Sequence, residues 1–196
     1  MIFAKLLLAQ DKLNTTMQVS LLVLLCLLSA PTVQAHSLPG SVLTLSEAQN
    51  DTLTIAISFP LEDLIIAAPE LEGLMELEDE QKLPEKSLKQ LNTYLQAHMF
   101  ILSGTKQLTL LPQQAEIDVV YHDHLGYFRS LVVELTAKLQ QTSSFPLRLS
   151  YDVIMHEVRN HRATVYWQEA DNSLTTLSNF GFKKLHGKPV LHHLNH

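Results

Sequence analysis

The sequence predicts a mainly-β fold: a small antiparallel β-sandwich with one inserted α-helix. Three observations predict it. Leu53, Ile55, Ile57 and Phe59 alternate with Thr54, Ala56 and Ser58, the period of two of a half-buried strand. Leu147, Leu149, Tyr151, Val153 and Met155 repeat that pattern late in the chain. Between them, Leu88, Leu91, Tyr94, Leu95 and Met99 recur at spacings of three and four, the stripe of one amphipathic helix. A length of 196 residues suits one such domain and is short for two well-buried ones.

Taken in order, Ser41 to Leu45 opens the sheet, and Glu47 to Asp51 (EAQND) is the turn into the strand at 53–59. Pro60 ends that strand. Leu61 to Ala68 is apolar and fits more than one element, with Glu62 and Asp63 placed to cap it. Glu70 to Glu80 is dense in carboxylates and reads as a solvated loop. LEGLMELEDEQK lacks the alternating oxygen ligands and central glycine of a calcium loop. Pro84 stands where helices favour proline, in the first turn, and Gly104 is the predicted stop. Strands follow at Gln107 to Leu111, Phe128 to Leu139 and Leu147 to Val158. His161 to Gln168 returns as the hairpin partner of the last, through Arg159-Asn160. Trp167 and Tyr151 pack in the core. From Asp171 the periodicity fades, so 171–196 reads as a His-rich C-terminal tail or linker behind an immunoglobulin-like body at 36–170.

The first 35 residues read as a signal peptide. Val19 to Leu28 (VSLLVLLCLL) is an uncharged apolar run, well short of the roughly 20 residues of a membrane-spanning helix. Lys5 and Lys12 precede it, and Val33 and Ala35 fill the small-residue positions before a cut between Ala35 and His36. Translation from Met17 would leave the same cut; an uncleaved N-terminal membrane anchor is the alternative. Cys26 sits inside the apolar run behind Leu25, which is no lipoprotein signal. As the one cysteine it also excludes a disulfide scaffold, a CxxC redox site and a multi-cysteine zinc site. Removing 1–35 takes Lys5, Lys12 and Asp11 from 14 basic and 20 acidic side chains, and the exported part carries -7. That balance argues against a nucleic-acid partner. A bacterial periplasm is the expected compartment.

No P-loop, GxGxxG, GxSxG or HExxH motif is present. Ser, His and Asp all occur, but nothing in the sequence places them as a triad, so the expectation is a protein that is not an enzyme. All ten histidines lie in the exported part. As the mature N-terminus, His36 would offer an amine and an imidazole from one residue, a pair suited to Cu(II). His122 and His124, in YHDHLGYF, point the same way if that stretch is extended, although Gly126 also fits a hydrated turn there. His156 and His161 flank the predicted last hairpin, either as metal ligands or as partners of strand-end backbone and of Asp152 or Glu157. His98, beside the helix stripe, reads as a core-edge histidine. His186, His192, His193 and His196 could collect nickel, zinc or copper with little selectivity.

Two segments together carry a resemblance. AHSLPGSVL at 35–43 and LSYDVIMHEVRNHRATVYWQ at 149–168 resemble the two ends of the extracytoplasmic domain that precedes the membrane portion of HupE/UreJ-like bacterial proteins. Tyr151, Asp152, Val153, His156 and His161 match the ending, and His36 the beginning. Residues 36 to about 168 are covered, the middle with little specific signal. The family's membrane helices should follow, yet no run of eighteen apolar residues occurs after residue 35. The resemblance therefore implies a periplasmic companion, or truncated relative, of a metal-linked membrane protein. Two functions remain as expectations: a non-catalytic metal-binding or metal-delivery accessory protein for copper or nickel, or a module that binds a membrane protein partner with purely structural histidines.

Overall fold

The structure, a computed structural model, describes residues 38–48, 51–139, 145–185 and 188–195. The expected signal peptide, its cleavage point and His36 lie outside them. Among the described residues the fold is mainly β. β1 (Ser41–Ala48) and β2 (Thr52–Pro60) pair antiparallel, with Leu43 opposite Ile57 and Leu45 opposite Ile55. All four side chains are fully buried, because alternation puts every second residue on one face. Asp51 turns the chain at a φ of 53°, a conformation that Asp tolerates better than most residues.

Six strands make the larger sheet. Its order is β5 (Leu111–His122), β6 (Gly126–Lys138), β2, β1, β8 (Arg162–Gln168) and β9 (Leu174–Gly181). The smaller sheet runs β12 (Leu191–Leu194), β7 (Leu147–Tyr151), β3 (Met99–Ser103) and β4 (Lys106–Gln107). A short ladder joins β10 (Lys184–Leu185) to β11 (Lys188–Pro189). Among the described residues every pairing is antiparallel except β1 with β8, a parallel pair inside the antiparallel arrangement expected. Leu43, Ile57, Val133 and Val165 of the larger sheet share one buried cluster with Ile101, Leu149 and Leu194 of the smaller.

Among the described residues three helical segments stand where a single helix was expected. α1 (Leu61–Ala67) follows Pro60 directly and turns Leu61, Leu64 and Ala67 inward, at the spacing of three that a short helix needs to bury one side. Glu62 and Asp63 occupy its first turn, where carboxylates suit the positive end of the helix dipole. A 3₁₀ helix at Pro69–Glu76 then buries Leu71 and Leu74, so the stretch expected to be a solvated loop sends two leucines into the core while its carboxylates stay exposed. Residues three apart share a face at three residues per turn. α2 (Glu85–His98) buries Leu91, Tyr94 and Leu95 as expected, but it stops at His98 and not at Gly104. Met99 is already extended, and Met99, Ile101 and Ser103 alternate inward as β3. Gly104, at a φ of 60°, makes the tight turn into β4.

The later chain departs further. β5 and β6 form a hairpin through Asp123-His124-Leu125, where only the second strand was expected. The alternation at 147–158 holds only to Tyr151. Beyond it, Asp152 N–H donates to His98 O, Ile154 takes a φ of 66°, and the chain runs through turns to His161. The expected hairpin through Arg159-Asn160 is therefore absent. β7 belongs to the smaller sheet, β8 to the larger, and 152–161 crosses between them. The expected tail is also corrected: β9 extends the larger sheet beside β8, and β12 pairs with β7, Leu194 opposite Leu147.

Candidate functional site

The crossing segment 152–161 carries both His156 and His161, and the structure gives them different surroundings. His161 is sealed, its side chain fully buried. Its Nε2 accepts the backbone N–H of Ser41 at 3.1 Å and lies 2.8 Å from Ser41 Oγ. An accepting Nε2 leaves the proton on Nδ1, which donates to Asp63 Oδ2 at 2.9 Å. α1 places Asp63, the first residue of β1 supplies Ser41, and the end of the crossing segment supplies His161. The three residues are joined in the order of a Ser-His-Asp relay, a grouping that the sequence reading did not reach. Ser41 itself is 1% exposed, and its own backbone N–H shares the imidazole lone pair. The arrangement ties three elements together. Tyr151 lies beside it. Burial pushes the Tyr151 phenol well above the tyrosine range, offset in part by the Ser41 hydroxyl, and its oxygen makes no well-formed hydrogen bond among the described residues.

The second group is half open. His98, the last residue of α2, donates from Nδ1 to Asp152 Oδ1 at 3.0 Å, with 23% of its side chain exposed. His156 Nδ1 donates to Asp152 O at 3.1 Å, and the two imidazoles stack with centroids 3.9 Å apart. Tyr94 flanks both rings and accepts the Ile154 N–H through its hydroxyl. Desolvation pushes the Tyr94 phenol above its ordinary range, with the bond to Ile154 opposing. His98 thus is the core-edge histidine expected, and it holds the turn where the predicted strand breaks.

His122 ends β5 and His124 lies in the hairpin turn, their rings 5.8 Å apart, with the His124 N–H donating to His122 Nδ1 at 3.3 Å. They are brought near each other but near neither His156 nor His161 by any contact found. His192, on β12, stacks on Phe180 at 3.6 Å; burial there, with Lys183 nearby, holds its pKa below the usual imidazole value. Among the described residues no three His, Cys, Asp or Glu side chains are grouped so as to hold a metal ion. His161 could not join such a group without giving up Ser41 or Asp63. His36, the residue on which the copper expectation turned, lies outside the described residues.

Away from the histidines, α1 and the 3₁₀ helix bound a surface groove of ≈ 600 Å³. Ile65, Ile66 and Met75 line it together with Glu62, Glu72 and Glu76. No family model matches the chain, and no curated protein matches it. The HupE/UreJ likeness thus rests on the residues quoted for it. Three of these, Asp152, His156 and His161, belong to the two hydrogen-bonded groups around the crossing segment.

Proposed function

We propose that the chain is an exported, non-catalytic partner-binding module that works beside a HupE/UreJ-like membrane protein in the periplasm. One observation carries the reading. Large apolar side chains remain exposed on the ridge over the α1 groove, Ile66 at 62% and Met75 at 41%, with carboxylates beside them. Clustered apolar exposure with a polar rim marks an interaction surface more often than it marks idle surface. His98, His156 and His161 meanwhile spend hydrogen bonds on their own chain. Photocrosslinking in cells tests this. A crosslinking residue at position 66 should capture a membrane-fraction protein, and one at the equally exposed Leu174 should not. Equal capture at both, or none at 66, sinks the reading.

A second reading, capture of copper or nickel, is favoured by the His122–His124 pair at the β5–β6 turn, where His124 is exposed; the terminal amine and ring of a mature His36 are a separate candidate for the same chemistry. Metal analysis of cleaved, untagged periplasmic protein tests it, with and without an extra Met before His36. Metal content that ignores the blocked amine removes His36 from the site.

A further inference from the structure

We infer that the groove between α1 and the 3₁₀ helix takes a cationic segment of a partner protein, one with a large apolar side chain flanked by Lys or Arg. The inference rests on the partner-binding reading and gives that partner its chemistry. Residues 61–80 hold eight of the chain's 20 acidic side chains and no Lys or Arg. Glu62, Glu72 and Glu76 line the groove, and none of them forms an ion pair among the described residues. Glu62 Oε2 is shut off from solvent without a hydrogen-bond partner there.

Arg129 shows what this acidic segment accepts. Its guanidinium, reaching over from β6, donates to Met75 O, Leu77 O and Asp79 Oδ1. One internal cation is therefore already held at the end of the 3₁₀ helix, and the groove carboxylates are left for an external one. Exposed ion pairs are individually weak, so charge alone would not hold a partner. Ile65, Ile66 and Met75 supply the apolar contact that would, once an apolar side chain seats between the glutamates. A second copy is a poor occupant. A two-fold contact would set one acidic rim against the other. Anionic lipid meets the same repulsion.

Gly73 offers a way to block the groove without disturbing the fold. It lines the groove, and a Cβ built there meets nothing within 4 Å. The probe is a short fluorescent peptide of Leu and Lys, titrated into the purified exported protein. Controls carry Glu in place of Lys, or Ser in place of Leu. Only the Leu–Lys peptide should bind saturably. Gly73→Phe should weaken it more than about tenfold, and Glu72→Gln with Glu76→Gln about fivefold, with a flatter salt dependence. Both variants should keep the Tm of the parent, which separates a blocked groove from a damaged fold. Binding that survives Gly73→Phe, or that does not need the Leu side chains, overturns the inference. Self-association lost in Gly73→Phe overturns it too, in favour of a second copy. A crosslink at position 66 that persists when no peptide binds leaves the partner reading standing and removes the cationic segment.

Discussion

Asp63–His161 and Asp152–His98 are the same chemical pair in two surroundings. Both join a carboxylate oxygen to Nδ1, at 2.9 Å and 3.0 Å. Distance does not separate them. His161 is closed to solvent and uses its second nitrogen on Ser41, so both ring nitrogens are committed where water does not reach the ring. His98 is part exposed and stacks on His156, and water can stand in for either partner. A hydrogen bond between such groups contributes little net stability where water competes, but losing one partner where water cannot enter leaves the other unpaired at full desolvation cost. The inner pair should therefore fasten the fold, and the outer pair should only shape its turn.

The largest expected effect follows from that contrast. His161→Ala removes a fully sealed ring and strands the Ser41 N–H behind it, and should cost about 3 kcal/mol in urea unfolding. Asp63→Asn keeps an acceptor for Nδ1–H and should cost roughly half as much. His98→Ala leaves Asp152 reachable by water and should cost only about 1 kcal/mol. If His98→Ala costs as much as His161→Ala, the contrast between sealed and open pairs is wrong.

The same contrast explains what could be read from the chain. β2 was legible because its period is local: Leu53, Ile55, Ile57 and Phe59 declare one face without reference to anything distant. The run at 147–158 has an equally clean alternation, yet it breaks after Tyr151. The break is held by His98 O on Asp152 and by the Tyr94 hydroxyl on Ile154, 60 residues away in sequence. Leu71 and Leu74 carried a period of three that was outweighed by the carboxylates around them. β9, LTTLSNFG, shows almost no alternation because it is an edge strand in which half of the residues are exposed and only Phe180 is buried. The inner site was beyond local reading altogether. Ser41 and Asp63 stand 120 and 98 residues from His161, and no spacing rule joins them. His161 was singled out, as a metal ligand or as a partner of strand-end backbone and of Asp152 or Glu157. It does take the strand-end N–H of Ser41, but its carboxylate is Asp63, because a histidine's chemistry is visible in sequence and its distant partners are not.

A smaller effect, on pH, sharpens the contrast at a third histidine. His192 is stacked on Phe180 without a carboxylate, and its pKa is lowered by burial first and by Lys183 second. A lowered folded-state pKa means the unfolded chain takes up the proton first. Its contribution is then present above the ordinary imidazole pKa of about 6.5 and is lost as pH falls below it toward the folded value. The protection of β12 amides, corrected for the pH dependence of intrinsic exchange, should fall as pH drops below about 6.5. His192→Phe keeps the stack and removes the titration, so its β12 should lose that dependence. A β12 whose exchange responds to pH equally in both proteins would assign the effect elsewhere.

The smallest expected effect is at the β5–β6 hairpin tip. His122 and His124 touch each other and a neighbouring backbone N–H, on a turn with Asp123 and His124 exposed. Water replaces every contact that a shortened side chain would give up. His122→Ala with His124→Ala should therefore change stability by less than about 0.5 kcal/mol, against about 3 kcal/mol for His161→Ala. The pair is where stability and function can be separated. Repeating the thermal melt with Cu(II) should raise the Tm of the parent and not of the double variant if the tip binds metal, since a ligand that prefers the folded state stabilises it by mass action. Equal shifts in both proteins place any copper elsewhere. A double variant that loses more than about 1 kcal/mol without metal would mean that exposure does not rank these histidines at all.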